Sequence, residues 1–474
     1  MAEQVLTERP VLDRSARRVA LIVAAAFFMQ HLDGAIINTS LPQLAESFAV
    51  QPVDINIGIT AYLLSMAAFI PLGGWIADRF GAKHVFAAAI VIFAVASIGC
   101  GLAQTLWQFT GARIVQGAGA ALMAPVGRIV VLRNTEKSSL IDAIALTVWP
   151  ALIAPVVGPL IGGLITTYVS WRLNFLINIP LGAIELAAVM LFIPNHRDGE
   201  PTRLDVAGFL LTAASLMMVL YGLERLSLGG QGRSLAAGLI AGGLVVGLLA
   251  IRHFLKTPAP LLDPGVFKVK TFRIATLDAG ITFRLAINAT PFLLPLMLQV
   301  GFGLNPWQAG LFLLVYFAGN LAMKSVTSPM LRTFGFRNVL IGNGLGVAAT
   351  VAACGVLTTA TPWLATALVL FAAGLTRSMQ FTCFSTLAFA DVSPDQRSSS
   401  STIFNMFQQL ALGFGVAFAA VVLDASRALR GAADVGLSDF HAAFFAFGVI
   451  ALLATTMVAR LPADAGAEVS GRQG

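Results

Sequence analysis

Charged residues are scarce in this sequence, and their scarcity excludes a soluble globular protein. Lys, Arg, Asp and Glu together make up 11% of the 474 residues, whereas hydrophobic residues make up 57%. A soluble globule of this size needs far more polar side chains to cover its surface. The sequence therefore predicts a polytopic membrane protein that is solvated by lipid.

Cysteine is also rare, and long polar regions are missing. Cys100, Cys354 and Cys383 all lie in apolar segments, which indicates neither a disulfide framework nor a metal-ligand spacing. No loop exceeds roughly twenty residues, which is too short for a folded soluble domain. We find no His/Glu metal cluster and no Ser/His/Asp set at a suitable depth, so neither an enzyme nor a resident cofactor is expected.

The sequence is rich in apolar segments long enough to cross a bilayer. About 20 apolar residues in an α-helix span the ~30 Å hydrocarbon core. This length predicts fourteen transmembrane helices, near residues 18–41, 55–77, 84–104, 107–132, 142–168, 172–194, 205–224, 235–254, 271–300, 307–330, 338–359, 363–390, 400–423 and 440–460. The first segment is long and contains an acid, which indicates an uncleaved helix rather than a signal peptide.

The placement of Lys and Arg orients these helices. Of the 30 basic residues, twenty fall in segments on the side of the N-terminus, five on the opposite side and five within apolar segments. By the positive-inside rule, both termini are predicted to be cytoplasmic. The net charge of +7 is explained by this bias, so no nucleic-acid partner is needed.

Two short stretches read as copies of each other. Residues 79–83 (RFGAK) and 333–337 (TFGFR) each join two apolar segments through an aromatic-Gly-x-basic turn. Duplicated halves of this kind are typical of transporters that work by alternating access. The spacing of the copies exceeds what six helices need, which predicts an inserted helix pair. The expected domains are an N-terminal six-helix bundle over 1–198, the inserted pair over 199–256 and a C-terminal six-helix bundle over 257–474.

Charged side chains within membrane helices cost about 2.5 to 3.5 kcal/mol on insertion scales, so they mark pathways, proton relays or buried pairs. Asp33 is the clearest case. With a rise of 1.5 Å per residue, Asp33 lies about 12 Å and Arg113 roughly 9 Å below the same outer surface. The two are expected to pair, since either charge alone would be costly. The pair either loads and unloads a proton as the helices shift, or only fixes their packing.

Other polar residues in the apolar segments are candidates for a central cavity. An Asp278–Lys324 pair is one expectation, and the alternative is that these residues close an inner gate or lock the C-terminal half. In the fifth segment, prolines and glycines favour a hinge and close helix packing equally. The cavity candidates are Gln30, Asn38, Gln116, Asp278, Arg284, Asn288, Lys324 and Arg377.

Several motifs resemble those of the major facilitator superfamily. The signature loop is matched by Gly74-x-x-x-Asp78-Arg79-x-Gly81-x-Lys83, the helix-four motif by Arg113-x-x-Gln116-Gly117-x-Gly119, and the antiporter motif by Gly158-Pro159-x-x-Gly162-Gly163. Four further stretches resemble the fourteen-helix drug:proton antiporter branch of this superfamily. They are Leu32-Asp33, Trp171-Arg172, Phe175 to Pro180 and Leu204-Asp205-x-x-Gly208. Residues 28–30 and 125–128, together with Arg284, are similar to the MdtD-type multidrug exporters.

The resemblance implies an all-α major facilitator fold with two six-helix bundles and two inserted helices. It implies export of small amphipathic or hydrophobic compounds, such as drugs or metabolites, in exchange for protons. Asp33 would be the proton acceptor and Arg113 its partner. The inner gate would comprise Gly74, Asp78, Arg79, Gly81 and Lys83, and an antiporter motif that limits proton leak would comprise Pro155, Gly158, Pro159, Gly162 and Gly163.

The implied setting is the bacterial inner membrane, with a monomer that meets small molecules, protons and the lipid bilayer. Two other functions stay open at this point. A proton-coupled importer would take up a small metabolite under an inward proton gradient. A membrane scaffold or sensor would keep the helices without any substrate-dependent proton flux.

Overall fold

The computed structural model describes residues 13–37, 40–50, 52–194, 203–228 and 232–470. Candidate Asn38 and residues 195–202 lie outside these ranges. Every regular element within them is helical. This agrees with the all-α membrane architecture, because a backbone in lipid must satisfy its hydrogen bonds within each segment.

The first nine helices form the N-terminal half. Their bounds are α1 Arg14–Ile36, α2 Leu41–Phe48, α3 Asn56–Phe69, α4 Gly73–Phe80, α5 Ala82–Leu102, α6 Leu106–Arg133, α7 Leu140–Tyr168, α8 Leu173–Leu176 and α9 Asn178–Phe192. Helix α1 packs against α6, α7 and α9, and α6 also packs against α3 and α5. Buried apolar side chains such as Phe86 and Phe93 fill the space between them.

The remaining helices cover the predicted inserted pair and the predicted C-terminal half. Their bounds are α10 Val206–Leu228, α11 Arg233–Phe254, α12 Lys270–Thr276, α13 Asp278–Leu296, α14 Pro306–Ala322, α15 Lys324–Cys354, α16 Trp363–Ala390, α17 Arg397–Leu429, α18 Leu437–Val458 and α19 Ala467–Ser470. Helices α10 and α11 pack on each other, while α13 packs against α17 and α18.

Eleven helical stretches of the described chain are long and apolar enough to cross a membrane, and a bent pair formed by α14 and α15 would make twelve. The count of fourteen therefore stays a prediction. The predicted helices at 307–330 and 338–359 meet within α15, where Gly335 interrupts the helical backbone. Several side chains of α7 lie outside the description, although its backbone is one helix.

The copied turns have the same backbone geometry. Gly81 has φ 87° and Gly335 has φ 74°. Both values lie in the region that glycine enters without the steric cost of a Cβ. The preceding aromatic residues, Phe80 and Phe334, are 52% and 53% exposed. The two halves therefore turn at equivalent points, and we call the end of the molecule that holds Gly81 and Gly335 the turn end.

The inserted pair lies against both halves. Helix α10 packs against α3 of the N-terminal half and α17 of the C-terminal half, and Thr60 donates a hydrogen bond to Glu224 at 2.5 Å. At the start of α10, Asp205 accepts hydrogen bonds from the Gly208 amide and from His253. Burial raises the pKa of Asp205, but these bonds outweigh it and the pKa is lowered overall.

Candidate functional site

A buried polar site of the N-terminal half is built around Asp33 of α1. Its side chain is 2% exposed, and that of Arg113 on α6 is 1% exposed. Arg113 Nη1 lies 2.7 Å from Asp33 Oδ2. The ion pair expected from the matched helix depths is therefore present. Such a pair is strongly constrained, because removing one partner leaves an uncompensated charge in a low-dielectric interior.

Two amides complete the coordination of this carboxylate. Gln116 Nε2 and Asn178 Nδ2 each donate to Asp33 Oδ1 at 2.9 Å. Both amides also reach Ser97 Oγ, at 2.8 Å and 3.2 Å. Arg113 Nη1 donates to Gln116 Oε1 at 2.5 Å. The network joins α1, α5, α6 and α9, so a change at the carboxylate acts on four helices at once.

An aromatic face supports the guanidinium of this pair. The Cζ atom of Arg113 lies 4.1 Å from the ring centroid of Tyr62 and 6.0 Å from that of Phe175. Cation–π contacts of this kind stabilise a desolvated cation. Gln30, another candidate from the sequence, lies on the same helix as Asp33, and its amide donates to Met66 Sδ at 3.5 Å.

The arrangement couples charge to helix position. A proton on Asp33 would remove the negative charge that holds Arg113 and two amide donors. Arg113 would then lack a counter-charge, and its burial would become unfavourable. A group that gains or loses a proton here therefore biases how α1 packs against α6 and α9.

At the turn end, Asp78 of α4 connects the two halves. Arg133 Nη2 lies 2.7 Å from Asp78 Oδ1, and Ser398 Oγ at the start of α17 donates to the same oxygen at 2.5 Å. We call this group the first latch. Gly74, one helical turn earlier, lets α17 approach closely, because a Cβ there would lie 2.9 Å from the Ser398 carbonyl oxygen. The gate candidates Gly74 and Asp78 thus lie at a contact between halves.

A second latch stands at the equivalent place in the duplicated sequence. The copied turns are offset by 254 residues, which aligns Asp78 with Arg332 and Gly74 with Ser328. Arg332 Nη2 lies 3.2 Å from Asp142 Oδ2, and Ser328 Oγ donates to Asp142 Oδ1. Asp142 begins α7 of the N-terminal half, so this latch also crosses the interface. The two latches use equivalent positions with reversed charge.

Lys83, another gate candidate, contacts a group of its own half. Lys83 Nζ donates to the carbonyl oxygen of Met190 at 2.8 Å, and its counterpart Arg337 donates to the carbonyl oxygen of Ala459 at 3.1 Å. Both cations therefore contact the last turn of a helix, where carbonyl groups carry partial negative charge. The Cζ atom of Arg79 lies 5.5 Å from the ring centroid of Trp75.

The antiporter motif lies on α7, which remains one helix from Leu140 to Tyr168. A Cβ at Gly158 would lie 2.6 Å from Ala35 Cβ of α1. The motif therefore packs α7 against the helix that carries Asp33. The carbonyl oxygen of Gly162 accepts a hydrogen bond from Asn174 at 3.4 Å, and a Cβ at Gly163 would meet no atom within 4 Å. The side chains of Pro155 and Pro159 lie outside the description.

In the C-terminal half, the expected Asp278–Lys324 pair is wrong. Asp278 Oδ2 lies 3.4 Å from Arg273 Nε, whereas Lys324 Nζ donates to Thr382 Oγ1 at 2.5 Å. Asp278 begins α13 and is partly exposed, so a neighbouring cation on α12 reaches it more easily than one on α15. Depth along a helix axis had matched the two residues, but it carries no information about which face each occupies.

The remaining candidates of this half contact neutral groups. Arg284 Nη1 donates to the carbonyl oxygen of Ala275 at 3.0 Å, and Arg377 Nε donates to that of Ile287 at 3.4 Å. Asn288 on α13 is half-buried. Among the residues that the structure describes, no group of three or more His, Cys, Asp and Glu residues could hold a metal ion.

Sequence reasoning missed several residues of these sites. Asn178 and Ser97 were not selected as site residues, although an amide in the apolar start of α9 was a usable signal. Asp142, Arg133 and Ser398 were not selected as site residues either. Adding the offset between the copied turns to the position of Asp78 gives Arg332. The offset does not identify Asp142, which is the partner of Arg332.

Comparison with known proteins decides the family. A family model described as Major Facilitator Superfamily matches residues 23–416 and 279–472. The chain belongs to the major facilitator superfamily. It is therefore a membrane transporter and not an enzyme. The sequence resemblance to this superfamily is confirmed.

Curated relatives of this major facilitator protein include proteins named MdtD, for multidrug resistance. The MdtD protein of Klebsiella pneumoniae is 34% identical over 96% of this chain and 97% of its own length. That of Cronobacter sakazakii is 33% identical over 96% of both chains. The similarity to MdtD-type proteins thus extends across nearly the whole sequence.

Solved structures with the same fold include two distant transporters. The human organic anion transporter MFSD10 superposes with a TM-score of 0.67 at 14% identity, over 94% of this chain and 99% of its own. The proton:xylose symporter XylE superposes with a TM-score of 0.62 at 16% identity, over 95% and 97%. At this level of sequence identity, the structural similarity shows a shared fold and nothing about substrates.

Proposed function

We propose that this transporter exports small organic compounds in exchange for protons by alternating access. The observation that carries the proposal is the buried Asp33–Arg113 pair, whose carboxylate also accepts from Gln116 and Asn178. Intramembrane carboxylates of this kind serve as proton relays in transporters. The multidrug-resistance name of the MdtD relatives supports export as the direction.

In this proposal, Asp33 takes up a proton from the outer side and Arg113 loses its counter-charge. The N-terminal half then repacks along α1 and α7, and substrate leaves toward the outside. When the turn end opens, Asp33 returns the proton to the cytoplasm and pairs again with Arg113. Substrate is bound from the cytoplasm and released outside, whereas the proton is bound from outside and released into the cytoplasm. The proton gradient therefore drives repeated cycles of efflux.

The two latches hold the turn end closed between these steps. Asp78 accepts from Ser398 across the interface, and Asp142 pairs with Arg332. Both contacts join helices of different halves, so both must break when the halves rock apart. As part of the same proposal, the turn end and both termini lie on the cytoplasmic side. The proposed domain boundaries lie between residues 198 and 199 and between residues 256 and 257. The working unit is a monomer in the bacterial inner membrane.

The test is proton-driven transport in proteoliposomes that carry the purified full-length protein. With a fluorescent amphipathic dye as substrate and an imposed proton gradient, we expect the wild type to move the dye against the proton flow. Asp33→Asn should abolish the response to the gradient and leave the fold intact, because Asn keeps the size of the side chain but cannot ionise.

A matched control is Glu185→Gln on α9. Glu185 is also a buried acid of the N-terminal half, 5% exposed, and its Oε1 atom has no hydrogen-bond partner among the described residues. It should keep the gradient-driven flux. Retained coupling in Asp33→Asn would remove Asp33 from its role. Dye movement with the proton flow would identify an importer, and the absence of any substrate-dependent proton flux would contradict transport of this kind.

A further inference from the structure

Two arginines from opposite halves lie over one phenyl ring near the turn end. Arg128 of α6 has its Cζ atom 4.5 Å from the ring centroid of Phe404, and Arg284 of α13 has its Cζ atom 4.6 Å from the same centroid. Arg128 also lies 5.5 Å from the ring of Phe389. Next to this group, Ser401 Oγ donates to the carbonyl oxygen of Pro125 at 2.9 Å, so the cluster sits at the interface of the halves.

Both guanidiniums have buried nitrogen atoms without a hydrogen-bond partner. These atoms are Nη1 of Arg128 and Nη2 of Arg284. Arg284 is only 2% exposed, and its hydrogen bonds go to the carbonyl oxygens of Ala275 and Thr276. Within the described part of the chain, neither arginine forms an ion pair. Buried charged donors are normally satisfied, so these orphaned atoms need an explanation.

Two further cations of the C-terminal half have described contacts with neutral groups. Lys324 donates to the Thr382 hydroxyl and Arg377 to the Ile287 carbonyl oxygen. The C-terminal half thus has one buried and two half-buried cationic side chains whose described contacts are neutral. This differs from Arg113, which has Asp33 at 2.7 Å. The contrast indicates that the missing negative charge comes from outside the protein.

The chemistry of the cluster selects the ligand class. A ring contact offsets only part of the cost of burying a guanidinium without a counter-ion. A carboxylate would satisfy the free nitrogens through paired N–H···O bonds, which the planar guanidinium favours. The rings of Phe404 and Phe389 would contact an apolar or aromatic body attached to that carboxylate.

We propose that Arg128 and Arg284 bind the substrate and that the substrate is an organic anion with a carboxylate and an apolar body. The inference rests on the proposed export function and names its substrate class. In the structure the halves meet at the cluster. When they separate at the turn end, Arg128 moves away from Phe404, and both guanidiniums face the cytoplasmic entrance, where an exporter collects its substrate.

The binding test uses three probes of one shape and different charge: naphthoate, naphthamide and naphthylmethylammonium. Binding to the purified full-length protein in nanodiscs is measured by calorimetry. We expect naphthoate to bind and the other two to bind at least about tenfold more weakly, since each lacks the charge that pairs with guanidinium. A protein that binds the ammonium probe better than naphthoate would overturn the inference.

The variants locate the site. Arg284→Gln and Arg128→Gln should each weaken naphthoate binding by about tenfold to a hundredfold, which corresponds to the loss of one charged hydrogen-bond partner. Arg284→Lys keeps the charge without the paired donors and should lose less. Arg252→Gln, an exposed change on α11, should bind naphthoate as the wild type does. Unchanged naphthoate binding in both Gln variants would assign the arginines a purely structural role and overturn the inference.

The two proposals fail separately. Asp33→Asn should still bind naphthoate while it loses proton-driven flux, because Asp33 contacts neither Arg128 nor Arg284. Proton-driven transport of the ammonium probe, with no binding of naphthoate, would leave the export proposal standing and remove the anion site. Naphthoate binding that depends on Arg284, without any proton-driven flux, would support the anion site and contradict the export proposal.

Discussion

The two halves of this transporter differ in how their buried cationic side chains are neutralised. The N-terminal half neutralises Arg113 internally, with Asp33 at 2.7 Å. The C-terminal half buries Arg284 and places Lys324 against a hydroxyl group. A duplicated architecture therefore carries an electrostatic asymmetry. The N-terminal half holds a complete ion pair at Asp33 and Arg113, whereas the described contacts of Arg284 in the C-terminal half are neutral.

The largest expected effect is on the stability of the N-terminal half. Asp33→Ala should lower the free energy of unfolding by about 3 to 5 kcal/mol, because Arg113 is left as an unpaired buried charge. Unfolding of the purified protein in mixed micelles measures this change. The double variant Asp33→Ala with Arg113→Met should recover much of the loss. If the double variant is as unstable as the single one, the pair does not carry the stability of its surroundings.

The next effect concerns the latches. Gly74→Val should disfavour closure of the turn end by about 1 to 3 kcal/mol, because added side-chain atoms meet the Ser398 backbone at a close contact. Labelling of Ser401→Cys with a maleimide reports opening, since Ser401 is fully buried when the end is closed. Gly111→Val is the matched control, because a Cβ at Gly111 meets no atom within 4 Å. Equal labelling in both variants would contradict the close-packing role of Gly74.

A smaller effect compares the two latches directly. Asp78→Asn and Asp142→Asn should each favour opening by about 0.2 to 1 kcal/mol, as expected for partly exposed charged contacts. Across the interface, Asp142 pairs with Arg332 and Asp78 accepts a hydrogen bond from Ser398. Labelling of Ser401→Cys should rise slightly in each, and the two free-energy changes should add in the double variant. Asp395→Asn changes an exposed acid just before α17 and should leave labelling unchanged. Opening in only one of the two variants would show that the latches are unequal despite their equivalent positions.

The smallest effect is expected in the C-terminal half. Lys324→Met should change the free energy of unfolding by less than about 1 kcal/mol, because it leaves no carboxylate without its partner and replaces a charge with an apolar side chain. The same micelle assay used for Asp33→Ala measures it. A loss comparable to that of Asp33→Ala would mean that Lys324 has a negative partner and that the contrast between the halves is wrong.

Much of the fold followed from sequence because its determinants are local. The length of apolar segments gave the helices, and the copied turn at Gly81 gave the duplication. The Asp33–Arg113 pair also followed, because the two residues carry opposite charges and lie at similar predicted depths on two helices. Lys324 could not be placed in this way. Its depth allowed Asp278, but the neighbouring Arg273 was closer to that acid.

The sequence by itself determined that this is a membrane protein of two related halves, since composition and apolar run length decide what lipid will accept. Only the tertiary structure decided which residues meet across the interface. Asp142 with Arg332, and Arg128 with Arg284 over Phe404, come from distant parts of the chain. Whether they meet depends on the rotation of each helix about its axis. A helix that is apolar on all sides has no polar stripe in its sequence to indicate that rotation.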